Sequence, residues 1–124
     1  MTDSIRTLAG RRVLIVEDEA LIVMAVEDEV RQLGCTDIFV AYNKEQALVE
    51  IDSYKPGFAI LDLSLTDNGE DYDIADRLAE RGIPFIFSSG HLAAELPDRH
   101  VGRPFVGKPM QSKDFAEAVT MALR

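Results

Sequence analysis

Four clusters of polar residues in this chain are spaced so that they could share one site. Glu17-Asp18-Glu19 follows the apolar run Val13 to Val16, and Asp62 follows the apolar run Phe58 to Leu61. Ser88-Ser89 closes a third run, and Lys108 stands just past Phe105-Val106. Several carboxylates held close together repel one another, and the usual remedies are a bound cation, a shared proton or a lysine. Magnesium suits such a set, being a hard ion that takes carboxylates, carbonyls and water. With a cation and Lys108 both near, one carboxylate can attack phosphorus and form an acyl phosphate. The charge on the transferring group would then be met by metal, ammonium and hydroxyl. Asp62 is the expected nucleophile, because it follows the strand read as the most buried and stands alone. Glu17 and Asp18, as a pair, suit the cation.

These residues converge only if their elements bring them to one edge. Val13 to Val16 is short, apolar and rich in β-branched residues, which reads as a strand buried on both faces. The period then changes, with Ile22, Val26, Val30 and Leu33 on one helical face and Gly34 as the stop. Asp37 to Tyr42 reads as a second strand, and Asn43 with Gln46 has the form of a helix cap with its capping-box partner. Pro56-Gly57 breaks the chain before the third strand. A helix over Tyr72 to Glu80, with Ile74, Ala75 and Leu78 inward, leads to a fourth strand at Ile83 to Phe87. His91 to Glu95 has room only for a short helix before Pro97, so the fourth helix is expected to be short or irregular. Phe105-Val106 reads as the fifth strand, and Ser112 is placed to cap a last helix carrying Phe115, Val119, Ala122 and Leu123 on one face.

Strands that alternate with helices require right-handed crossovers, hence an α/β fold with a doubly wound parallel sheet and helices on both faces. Ligands in such folds bind beyond the carboxyl ends of the strands, where strand order reverses. That is the edge at which all four clusters fall.

The ordered set resembles the receiver domain of bacterial two-component response regulators over nearly the whole chain, Arg12 to Leu123. It has an acidic pair after the first strand (Glu17-Asp18), a phosphoacceptor aspartate after the third (Asp62), a Ser or Thr after the fourth (Ser89) and Lys-Pro after the fifth (Lys108-Pro109). The resemblance implies a five-stranded sheet in the flavodoxin-like order 2-1-3-4-5. It implies Mg2+ held by Asp18, Asp62 and the backbone carbonyl of Ser64, with Glu17 acting through water. Ser89 and Lys108 would each bond a phosphoryl oxygen, and the donor would be a sensor histidine kinase or a histidine phosphotransfer protein. The string Phe87-Ser88-Ser89-Gly90 looks like an atypical, often stand-alone subgroup whose fourth strand ends in Phe-Ala-Thr-Gly. With Ser88 beside Ser89, either hydroxyl could serve. Phe105 falls three residues before the lysine, where many receivers have a switch aromatic, and could equally be core.

Composition narrows the rest. A length of 124 residues with 47% hydrophobic content supports one domain, expected over 12–124 after an N-terminal extension of 1–11. A net charge of -9 repels nucleic acid and anionic membrane alike. Cys35 is the single cysteine, so no intrachain disulfide forms, and the chain has no apolar segment of spanning length. A cytoplasmic setting is expected.

Competing readings are weaker. Asp18 could merely cap the helix that follows it, Ser88-Ser89-Gly90 could be an ordinary turn, and Lys108 could be a surface lysine. His91 and His100 lack the companions of a metal site and are given no role. An aspartate-nucleophile phosphohydrolase wants a second Asp two residues after the first, where this chain has Ser64. Dinucleotide binding needs a glycine-rich turn where Glu17-Asp18-Glu19 stands. The remaining alternative is a receiver fold used as a protein-protein adaptor, with phosphorylation weak or absent.

Overall fold

In the computed structural model, residues 7–63, 72–89, 96–107 and 110–124 are described, Ser89 by its backbone alone. Five parallel strands, β1 (Arg12–Val16), β2 (Asp37–Ala41), β3 (Phe58–Asp62), β4 (Phe85–Ser89) and β5 (Phe105–Gly107), pair in the order β2-β1-β3-β4-β5. Helices α1 (Ala20–Gln32), α2 (Lys44–Tyr54), α3 (Asp73–Glu80) and α4 (Ser112–Ala122) cover the two faces. This is the flavodoxin-like order that the resemblance implied.

The continuous apolar strands divide their side chains between two cores because successive residues point to opposite faces. Val13, Ile15, Phe58, Ile60 and Ile86 join Val26 and Val30 of α1 and Phe115 and Val119 of α4. Leu14, Val16, Ala59, Leu61, Phe85 and Phe87 join Ala47 and Ile51 of α2 and Ile74, Ala75 and Leu78 of α3. Phe58, Phe85, Phe87 and Phe115 are fully buried, and each contributes roughly 1.5–3 kcal/mol relative to exposure. Leu8 also enters the first core, held by its amide on the carbonyl of Leu33 at 2.9 Å.

Helix ends follow local chemistry, with some differences from the sequence reading. Asn43 caps α2 through Oδ1, which accepts from the Gln46 amide at 2.8 Å, while Gln46 Oε1 reaches back to the amide of Tyr42. Gly34 and Gly82 turn the chain out of α1 and α3 with φ of 95° and 69°, a conformation that suits glycine. Ser112 is not a cap: it is the first residue of α4, Gln111 precedes it, and its hydroxyl donates to Glu29 Oε2 at 2.7 Å. β4 begins two residues later than expected and runs through both serines, because the Ile83 amide is taken by the Leu78 carbonyl and Pro84 has no amide to give. A helix at His91 to Glu95 falls outside the described residues, and after it Pro97 leads into a single 3-10 turn at Asp98–His100.

Candidate functional site

Strand order reverses between β1 and β3, so the site belongs at their carboxyl ends. Val16 pairs with Leu61, and Glu17 and Asp62 each follow directly. Alternation puts both side chains on the face that carries α1 and α4, since Ile15 and Ile60 point there. Both are buried, Glu17 at 2% and Asp62 at 1% exposure, whereas Asp18 is exposed. The three carboxylates each bring an oxygen to within 4.8 Å of the others. Charges taken out of water need a partner or a metal, and three anions at this spacing fit a hard cation better than one another.

Asp18 is not a helix cap. The cap of α1 is Glu19, without a side-chain bond, and the Glu19 amide instead donates to Glu17 Oε2 at 3.2 Å. That bond turns the chain sharply off β1 and leaves Asp18 at the rim. Asp62 pairs across the ladder with Ser88, one residue before the serine expected to serve. Ser88 is 1% exposed and its hydroxyl has no hydrogen-bond partner among the described residues. Ser89 pairs through its backbone with Gly107 at the same edge, while its side chain, Ser64 and Lys108 fall outside the described residues. Phe105 is half-buried against the α2 and α3 core.

One cluster escaped the sequence reading. His100, assigned no role there, is buried, with Nε2 2.7 Å from Asp76 Oδ1 of α3. Arg99 grips both oxygens of the same carboxylate at 2.7 and 3.0 Å, and Arg103 donates from Nε to His100 Nδ1 at 2.9 Å. The Arg99 hydrogen bond, aided by His100 and opposed by partial burial, holds the Asp76 carboxyl below its usual range. The imidazole stands edge-on to Phe85 and Phe87. No local pattern announces this cluster, because Asp76 and His100 lie 24 residues apart.

A doubly wound sheet in this order, with a buried aspartate facing an acidic pair at its switch point, defines a receiver domain. The response regulator receiver domain family matches residues 13–120, and the chain belongs to it.

Its relatives are bacterial regulators. The Positive alginate biosynthesis regulatory protein of Pseudomonas aeruginosa is 37% identical over 120 residues, covering 90% of this chain and 47% of that protein. The Transcriptional regulatory protein PdtaR of Mycobacterium tuberculosis is 27% identical, covering 91% and 57%. The chain thus spans about half the length of these curated relatives. Among solved structures, SdrG from Sphingomonas melonis Fr1 superposes with a TM-score of 0.78 at 34% identity, covering 91% of this chain and 96% of that one. The receiver domain of the PhyR response regulator of Erythrobacter litoralis gives 0.74 at 32%, covering 94% and 92%.

Proposed function

We propose that Asp62 accepts a phosphoryl group from a phosphohistidine donor, so that this domain acts as the input switch of a two-component response regulator. The reading rests chiefly on one observation: Asp62 is buried at the switch point with Glu17 and Asp18 within 4.8 Å. In the transfer, a carboxylate oxygen of Asp62 forms a bond to phosphorus as the bond from phosphorus to the donor's imidazole nitrogen breaks, and the released imidazole takes a proton from solvent. The chain's role is to accept the group and to supply the residues that make transfer possible, rather than to turn over a substrate.

Asp18, Asp62 and the Ser64 carbonyl would hold Mg2+, with Glu17 reaching it through water. Bound there, the ion supplies positive charge to the phosphoryl oxygens. Ser89 and Lys108 are the expected partners of the remaining oxygens, one as hydroxyl donor and one as ammonium. The donor is a sensor histidine kinase or a histidine phosphotransfer protein, and the signal passes to a downstream protein. No helix among the described residues is long and apolar enough to cross a membrane, which accords with a cytoplasmic place in that pathway.

The test is incubation with a small-molecule phosphodonor and magnesium, followed by intact mass. One phosphoryl group should appear on wild type and none on Asp62→Ala. No gain in wild type, or an equal gain in the variant, overturns the acceptor reading and leaves the protein-protein adaptor as the alternative.

A further inference from the structure

Asp62 and Ser88 are register partners on adjacent parallel strands, whose backbones run about 4.8 Å apart. Their side chains emerge on the same face, which Ile60 and Ile86 also share. On its other side Ser88 pairs with Val106, another member of that apolar core. A hydroxyl here takes the place of a group that would pack without cost. It is 1% exposed and unpartnered among the described residues, so the chain bears the desolvation of a donor that returns no hydrogen bond. An isosteric apolar residue would avoid that loss, which makes a packing role a poor account of the serine.

A phosphoryl group on Asp62 changes the balance. It adds acceptor oxygens and negative charge beside β4. The Ser88 hydroxyl rotates freely about its C–O bond and can turn its proton towards whichever acceptor arrives. We propose that Ser88 donates a hydrogen bond to an oxygen of phosphorylated Asp62, as a second hydroxyl contact besides the one expected of Ser89. This rests on Asp62 being the acceptor. Ser88 is then a group whose bond is missing in the resting state and made in the phosphorylated one, and it biases the domain towards the latter. Its place in the β4 ladder, in register with Asp62, already sets it beside the acceptor.

The experiment compares wild type, Ser88→Ala and Ser88→Thr, with magnesium and beryllofluoride as the phosphoryl mimic. Affinity is read by 19F resonance of bound mimic, and thermal midpoints are measured with and without it. Ser88→Ala should bind the mimic about five- to tenfold more weakly, Ser88→Thr within about twofold of wild type, and the midpoint of mimic-free Ser88→Ala should be unchanged or raised. Equal affinity in wild type and Ser88→Ala, or a lowered mimic-free midpoint in Ser88→Ala, overturns the proposal, the latter because it shows the hydroxyl already satisfied at rest. If wild type binds no mimic and gains no phosphoryl mass, the acceptor reading fails and Ser88 falls with it. Mass gain in wild type with unaltered Ser88→Ala affinity removes Ser88 alone.

Discussion

His100 Nε2 lies 2.7 Å from Asp76 Oδ1, and this contact fastens the turn before β5 to helix α3. Arg103 donates to the other ring nitrogen, so Nδ1 carries no proton and Nε2 is the donor to the carboxylate. The ring is thereby fixed in one tautomer and one orientation, with its edges against Phe85 and Phe87 of β4. Two arginines, one carboxylate and one imidazole thus tie the turn before β5 to α3 and to β4.

Removing the carboxylate should therefore be felt as lost stability. Asp76→Ala leaves the buried His100 Nε2–H without an acceptor, which costs about 1–3 kcal/mol. Asp76→Asn keeps an acceptor oxygen and should cost less than the alanine variant. Urea unfolding of the three proteins measures this, and an Asp76→Ala midpoint equal to wild type would show that the cluster is ornamental.

The same carboxylate sets a pH dependence. Its hydrogen bond from Arg99 lowers the folded-state pKa from an ordinary value of 3.8, against the opposing effect of burial. A group with a depressed folded pKa stabilises fully above its unfolded value, and that contribution disappears as pH falls through the folded one. The stability gap between wild type and Asp76→Asn should thus be constant near neutrality and narrow below about pH 4. Asp52, lowered chiefly by the hydrogen bond from Arg81 and also by Arg77, adds to the same acid limb. A gap that widens with acid would reverse the sign of this account.

Cys35 offers a probe of local opening. It is 1% exposed in the α1 and α4 core, and burial pushes its thiol pKa up. Both effects suppress the thiolate that reacts. Aromatic disulfide reagents should leave the native protein unmodified over hours and titrate one thiol in urea. Prompt modification without denaturant would mean that this core opens far more readily than its packing suggests.

The fold was legible because β1 and β3 are apolar along most of their length, and the acidic cluster because acids stand at their matching ends. Hydropathy finds Val13 to Val16 and Phe58 to Leu61 directly, and Glu17 and Asp62 follow from the same pattern. The pattern misjudged β4, where two serines continue a ladder that hydrophobicity says has ended. It also gave Ser112 a capping role, although a partner on α1, Glu29, claims that hydroxyl. His100 was hidden for a related reason: its meaning lies in contacts with α3 and β4, and only the closed fold brings them near.

The acidic cluster proposed to hold Mg2+ yields the last prediction. Glu17 and Asp62 are buried and positioned by the β1 and β3 ladder, whereas Asp18 is exposed at the rim and held by neither strand. Removing Asp18 should therefore take away a ligand while leaving the other two carboxylates in place. Asp18→Ala should bind Mg2+ at least about tenfold more weakly while its thermal midpoint in chelator stays close to wild type or rises, since one of three mutually repelling anions is gone. In wild type, magnesium at about a hundred times its Kd should stabilise the fold by about 2.7 kcal/mol, the amount mass action gives for a ligand of the native state alone. Asp18→Ala should show a much smaller gain at the same concentration. Equal magnesium stabilisation in both proteins would put the ion elsewhere and leave the Glu17, Asp18 and Asp62 cluster without its cation.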